Sequence, residues 1–209
     1  ISLLVAYAQN ASANKLWRLA EERWQQVHAL NDEVYYILSC FNLANALRMQ
    51  GRFEKAFICL DEYEELCLAQ NLPISHEAKI ERAELYMATE DWPKALSIWS
   101  QLQDSQEEIL LLRHIDCLSA MADWSEILRL TSRPCFVHLS LHVQAVGYAI
   151  VHRARCEWNN VIDKLSSNLA NFDETELFEF KPQLLLAQAY RELEIYDKAE
   201  ESISAYENI

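Results

Sequence analysis

Small, large and aromatic residues recur along the chain in a fixed order with helical spacing. In one clear copy, Ala44 is followed three positions later by Leu47, then after six more by Phe53, and after another three by Ala56. Residues three or four positions apart share one face of an α-helix, so each half of this motif suits a helix with one apolar face. The motif therefore predicts two helices joined by a short turn just before the aromatic residue.

The same motif recurs through most of the chain. Two further clear copies consist of Ala83, Tyr86, Trp92 and Ala95, and of Ala187, Tyr190, Tyr196 and Ala199. Weaker copies consist of Leu118, Trp124 and Ile127, of Ala149, His152, Trp158 and Val161, and, at the start of the chain, of Trp17, Ala20, Trp24 and Val27. The anchoring aromatic residues are Trp17, Phe53, Trp92, Trp124, Trp158 and Tyr196, and consecutive ones lie 36, 39, 32, 34 and 38 residues apart.

This spacing resembles that of the tetratricopeptide repeat, whose period is about 34 residues. The resemblance covers nearly the whole chain and is clearest around Phe53, Trp92 and Tyr196. It implies an all-α, right-handed α-solenoid of antiparallel helix pairs, with about five to six repeats, about eleven helices and one domain over residues 1–209. Because each aromatic residue would fill the gap between neighbouring pairs, we expect Phe53, Trp92, Trp124, Trp158 and Tyr196 to be largely buried.

Turn residues support the same helix boundaries. The chain has only 2 glycines and 4 prolines, which favours helices joined by short turns. Asp91 and Asp123 precede anchoring aromatics and are expected N-caps. Pro93 and Pro182 fall where helices should begin, the position that tolerates proline best. Longer polar stretches at 71–75, 103–107 and 169–176 are expected to separate successive units.

The charge of the chain limits its partners. The formal net charge is −14, with 18 Lys and Arg against 32 Asp and Glu. Such a surface repels phosphate groups, so direct binding of nucleic acid or an anionic membrane is disfavoured, and a basic protein or peptide is the better match. No stretch approaches the roughly 18 apolar residues of a membrane-spanning helix, so no membrane insertion is expected.

The cysteines indicate a reducing compartment. Six are present, none of them in a CxxC motif, and most lie in apolar helical segments. We therefore expect reduced thiols and a cytoplasmic protein. Because the chain begins at Ile1 and not at Met, we also expect it to be a piece of a longer protein.

Motifs that carry catalysis are missing from the sequence. Two glycines cannot build a phosphate-binding loop, and no serine or cysteine lies in a recognisable nucleophile motif. His138 and His142 have the i, i+4 spacing of zinc ligands on one helix face, but local spacing implies no further ligand, and we expect no metal. The clusters of Asp and Glu are expected to be solvated. The sequence thus predicts no enzyme, cofactor or metal site.

The resemblance places a binding groove along the first helix of each pair. Its expected lining consists of Phe41, Asn45, Arg48, Ile80, Glu81, Glu84, Leu112, Asp116, Val146, Arg153, Gln188 and Arg191. This lining is acidic in the middle of the chain and basic towards its end. One subgroup of the family grips the carboxylate tail of chaperones with a five-residue clamp, of which only Asn45 matches here. Since Phe41 replaces a lysine and Glu84 an asparagine of that clamp, tail recognition is disfavoured.

Two functions remain in view. The first is a scaffold-like interaction module that holds a partner segment, protein or peptide, in the concave groove of the superhelix. The alternative is an intramolecular regulatory domain that controls an attached output domain, as in bacterial signalling proteins or transcription regulators. A second copy of the chain, forming a homodimer, or the chain's own flanking segment would be competing occupants of the groove.

Overall fold

The described part of the chain is helical. A computed structural model describes residues 1–32, 34–102, 108–167 and 182–207, and these residues form helices and turns, with no strand among them. The helical segments in chain order are α1 (Ser2–Ala13), α2 (Trp17–Ala29), α3 (Tyr35–Arg48), α4 (Phe53–Ala69), α5 (His76–Ala88), α6 (Trp92–Gln101), α7 (Glu108–Ala120), α8 (Trp124–Thr131), α9 (Pro134–Val137), α10 (Leu141–Ala154), α11 (Trp158–Ser166), α12 (Pro182–Glu192) and α13 (Tyr196–Glu207). The prediction of an all-α fold is confirmed.

Each anchoring aromatic residue is the first residue of the second helix in a pair. Trp17, Phe53, Trp92, Trp124, Trp158 and Tyr196 begin α2, α4, α6, α8, α11 and α13. The predicted starts at prolines also hold, because Pro182 opens α12 and Pro93 is the second residue of α6. Asp123 is an N-cap, and its side chain accepts a hydrogen bond from the Glu126 amide at 3.1 Å. The sequence thus located the helix starts within each pair correctly.

The turn inside each pair has one recurring backbone conformation. The residue two positions before the anchoring aromatic has a positive φ of 55° to 72° in all six pairs, at Lys15, Gly51, Glu90, Ala122, Cys156 and Glu194. The next amide donates to the carbonyl five residues earlier, as from Arg52 to Leu47 at 2.9 Å. This is the Schellman C-cap, which satisfies the last carbonyls of the first helix. The repeat is therefore visible in the backbone as well as in the side chains.

The first compact unit spans Ile1–Ile98. Within it, helices neighbouring in sequence pack together from α1 to α5, and α3 also contacts α5, the first helix of the next pair. Its core includes the small residues Ala20, Ala44 and Ala56. It also includes Trp24, which is fully buried and donates its indole N–H to Ser12 Oγ at 3.1 Å. The boundary with the second unit falls inside α6.

The second compact unit spans Trp99–Ile209. In it, α7 packs on α8 and α10, α10 on α11, and α12 on α11 and α13. The short α9 was not expected from the sequence, and it places Phe136 in the core. Gly147 of α10 permits this, because a Cβ there would lie 3.1 Å from the Phe136 ring. That close approach explains one of only 2 glycines in the chain.

Burial of the anchoring aromatics is weaker than predicted. Phe53, Trp92, Trp124 and Trp158 are half-buried, and Tyr196 is 59% exposed, so the prediction for Tyr196 is wrong. No described helix follows α13 to cover it. The fully buried indoles are Trp24 and Trp99, each seven residues after an anchoring tryptophan. A spacing of seven is about two helical turns, which places these residues on the inward face beyond the exposed first turn.

Two aspects of the predicted fold stay predictions. The right-handed twist of the solenoid and the single domain over residues 1–209 are not decided by the two compact units. Among the described residues, no helix is both long and apolar enough to cross a membrane.

Candidate functional site

The predicted groove residues of the first unit meet, but their charges are used internally. Glu81 on α5 is 4% exposed. Its carboxylate accepts hydrogen bonds from Asn45 Nδ2 at 3.0 Å and from Arg48 Nε at 2.6 Å, both on α3. Arg48 also lies 3.9 Å from Glu84. Because Glu81 is buried and bonded by these donors, it is not available to attract a basic partner.

The predicted groove residues of the second unit are partly core residues. Leu112 and Val146 are both 0% exposed, so they cannot contact a partner, contrary to the sequence interpretation. Asp116 accepts a hydrogen bond from Arg153 Nη2 at 2.8 Å, which neutralises both groups. The sequence pattern did not distinguish these inward-facing positions from groove positions. A shift of one residue along a helix rotates the side chain by about 100°, so neighbouring positions face different directions.

Four further residues of the predicted lining are half-buried or exposed. Phe41 and Ile80 are half-buried, with the Phe41 ring 5.8 Å from that of Tyr63. On α12, Gln188 is half-buried, and Arg191 is exposed beside Glu192. Of the charged positions in the predicted lining, Glu81 pairs with Arg48 and Asp116 pairs with Arg153.

These ion pairs instead link successive helix pairs. Arg48 with Glu81 and Arg153 with Asp116 join residues 33 and 37 positions apart, close to one repeat period. Arg52 with Glu21 adds a third link over 31 positions at 2.6 Å. Ion pairs between residues about one repeat apart stabilise the packing of successive helix pairs, because removing one partner would leave a poorly solvated charge behind.

A polar cluster in the first unit brings a cysteine close to a histidine. The His28 ring lies 3.8 Å from Cys40 Sγ and 3.1 Å from Ser39 Oγ, and it stacks on Tyr36. Cys40 is fully buried, and burial raises the pKa of its thiol to about 12, with the Glu62 carboxylate adding to the effect. A buried, protonated thiol is a poor nucleophile. The sequence pattern did not predict this cluster, because its members come from three helices.

The two histidines with metal-ligand spacing do not share a helix. His138 lies in the turn after α9, and Ser140 is the N-cap of α10, to which His142 belongs. The sequence interpretation of a shared helix face is therefore wrong. In the described ranges, no group of three or more His, Cys, Asp or Glu is placed to hold a metal ion. The five cysteines with described side chains, Cys40, Cys59, Cys67, Cys117 and Cys156, are free thiols.

Three equivalent troughs lie where one helix pair meets the next. The first trough, between α4, α5 and α6, has a volume of about 430 Å³ and includes Asp61, Glu64, Arg82, Tyr86 and Lys94. The second trough, between α8, α10 and α11, has a volume of about 550 Å³ and includes Trp124, Leu128, Tyr148, His152, Arg155 and Lys164. The third trough, between α11, α12 and α13, has a volume of about 350 Å³ and includes Leu186, Tyr190, Lys198 and Ser202.

The troughs share positions in the repeat but differ in chemistry. Lys94 and Lys198 each lie over the tyrosine eight residues earlier, with the ammonium nitrogen 5.2 and 5.5 Å from the ring centroid. In the first trough, Arg82 is held by Asp61 at 2.6 Å and Glu64 at 3.0 Å. In the part of the chain that the structure describes, no carboxylate lines the second trough. The fold thus repeats one surface shape with a different lining at each junction.

Two comparisons with known proteins found no match. No model of a protein family matches the chain, and a search of curated proteins finds no significant match. The likeness to the tetratricopeptide repeat therefore rests on the residue pattern alone.

Proposed function

We propose that the chain is a protein-interaction module of the tetratricopeptide-repeat kind, which binds a segment of a partner protein against its stacked helix pairs. The observation that carries this proposal is the recurrence of one trough at three junctions with a different lining each time. A repeated shape follows from the fold, whereas a varied lining offers a different set of contacts at each junction.

The proposed binding surface differs from the groove that was expected from the sequence. The first-helix face offers mainly Phe41 and Ile80, both half-buried, because Glu81 and Asp116 are neutralised by Arg48 and Arg153. The troughs offer half-buried aromatic rings and exposed cations instead. A partner segment that crosses the junctions between pairs is therefore favoured over one that lies along the first helices.

Selection from a random peptide display library tests the proposal without a known partner. Enriched peptides should share a motif and bind one per chain, with micromolar dissociation constants of roughly −8 kcal/mol in binding free energy. Peptides of the same composition in scrambled order are the control. Enrichment without a common motif, or equal binding of the scrambled peptides, would argue against an interaction module.

The regulatory alternative uses the same surface. In that role the bound segment belongs to an attached output domain, and binding is intramolecular. It stays a prediction.

A further inference from the structure

We propose that the second trough binds an acidic peptide segment that carries an apolar anchor residue. This inference rests on the proposed function and assigns it a site and a ligand chemistry. It also reverses the sign expected from the net charge of −14, which favoured a basic partner.

The floor of the second trough is apolar. Ile127 and Val151 are 4% and 9% exposed and close it from below, and the half-buried rings of Trp124 and Tyr148 form its walls. Leu128 stands on the rim and is 68% exposed. An apolar side chain entering this space would cover that leucine and displace water from both rings. Burying aromatic and aliphatic surface of this kind supplies most of the affinity in peptide recognition.

The rim of the same trough is cationic. The Arg155 guanidinium lies 5.0 Å from the Trp124 ring centroid, and the Lys164 ammonium lies 5.3 Å from that of Tyr148. Both side chains are exposed, so they can reach a ligand in the trough. Arginine held over an aromatic ring is pre-oriented, which lowers the entropy lost when it bonds a carboxylate.

One acidic group close to Arg155 lies outside the lining of the trough. Glu157 lies 3.8 Å from Arg155 Nη1 and accepts a bond from His152 at 2.6 Å, but it does not line the trough. The first trough differs, because Asp61 and Glu64 lie in its lining and hold Arg82. In a strongly acidic chain, a trough whose described lining holds arginine and lysine but no carboxylate is complementary to acidic residues.

The open rim favours a peptide segment as the ligand. The volume of about 550 Å³ holds one or two large side chains, within the usual range for ligand sites. Because Leu128 and Arg155 remain exposed at the edge, a chain can enter and leave the trough on either side of its anchor. Carboxylates that flank the anchor would then meet Arg155 and Lys164.

The test uses a labelled octapeptide with capped termini, in which Leu and Trp are flanked by Asp and Glu. Fluorescence anisotropy reports its binding to the full chain at low salt. Two matched peptides replace either the acidic residues by Lys or the apolar pair by Ala. The acidic–apolar peptide should bind at least ten-fold more tightly than both, and its affinity should fall as salt is added.

Matched variants of the chain locate the site. Arg155→Glu with Lys164→Glu should weaken binding at least ten-fold. Lys79→Glu with Lys94→Glu in the first trough changes the net charge by the same amount and should alter binding less than two-fold. Arg155→Gln with Lys164→Gln removes the cations without adding acids and should give an intermediate loss. Circular dichroism checks that each variant is folded.

Three outcomes would overturn the assignment. They are equal binding of the Lys peptide, an equal loss in the first-trough variant, and no binding of the acidic–apolar peptide at millimolar concentration. If library-selected peptides still bind the Arg155 and Lys164 variants normally, the module stands and only this site is wrong. If selection yields no specific peptide, the proposed function itself fails.

Discussion

Single residues in the turns carry a measurable part of the fold's stability. Six residues adopt the left-handed conformation at the same point of the repeat, and only Gly51 among them is a glycine. Every other residue type carries a steric cost there, because its Cβ approaches the following carbonyl. The sequence accepts this cost in five turns, and the hydrogen bonds of each C-cap offset it.

Exchanging glycine and alanine between two of these turns measures that cost. Gly51→Ala should lower the free energy of unfolding by about 1 kcal/mol, since the added Cβ meets no atom within 4 Å and the backbone strain outweighs the entropy that alanine removes from the unfolded chain. Ala122→Gly should raise it by roughly 0.5 kcal/mol, less than the strain relieved because glycine gains entropy in the unfolded chain. Urea unfolding of both variants checks this. A loss in both would show that the turns are not strained.

The buried imidazole of His114 should make stability depend on pH. Burial lowers its pKa to about 4 from an ordinary value near 6.5, and the nearby Arg133 and Arg129 act in the same direction, opposed by Glu126. Between these two values the unfolded chain binds a proton that the folded chain does not, so stability falls as pH drops from 6.5 towards 4. The loss from pH 7 to pH 5 should be about 2 kcal/mol.

His114→Gln isolates this contribution. The variant does not titrate in this range, so its urea midpoint should change less between pH 7 and pH 5 than that of the parent chain. The comparison concerns the pH difference and not the absolute stability, which the substitution also alters. An unchanged difference would mean that His114 titrates normally in the fold.

At the scale of helices, ion pairs join successive helix pairs at positions where the sequence predicted the lining of a groove. Glu81→Ala leaves Arg48 at the α3–α5 contact without its closest acceptor and should cost about 3 kcal/mol, as for other buried ion pairs. Lys94→Ala, which breaks an exposed pair with Asp91, is the control and should change stability little. Equal, small effects of the two would show that the α3–α5 pair does not stabilise the stack.

The effect of removing a large aromatic side chain should depend on its burial and not on its position in the repeat motif. Trp24→Ala removes a fully buried ring and should cost roughly 3–5 kcal/mol. Tyr196→Ala affects an anchoring aromatic that is 59% exposed and should cost far less. Thermal unfolding of both variants tests the ranking, and a larger loss at Tyr196 would contradict the burial described for α13.

Helix starts were predictable, but the side-chain environments were not. The spacing of Phe53, Trp92 and Tyr196 gave the first residue of each second helix, because aromatic and small positions follow local helical geometry. The burial of Glu81 and Val146 depends on contacts one period or more away, which a local pattern does not encode. The short α9 was missed because a single turn around Phe136 has no periodicity.

At the scale of the whole chain, the junctions between helix pairs are proposed to differ in what they bind. The first, second and third troughs share their place in the repeat, yet among the described lining residues only the second combines an apolar floor with cations and lacks carboxylates. Specific binding should therefore change one junction far more than the others.

Hydrogen–deuterium exchange of the chain with the acidic–apolar octapeptide tests this most directly. Bound peptide should slow amide exchange in α8, the end of α10 and α11, because they surround the second trough, while α4, α5 and α6 around the first trough exchange as before. The Lys-substituted peptide should change nothing. If the acidic–apolar peptide leaves exchange unchanged in every described helix, the proposal that this repeat stack binds such a segment is contradicted.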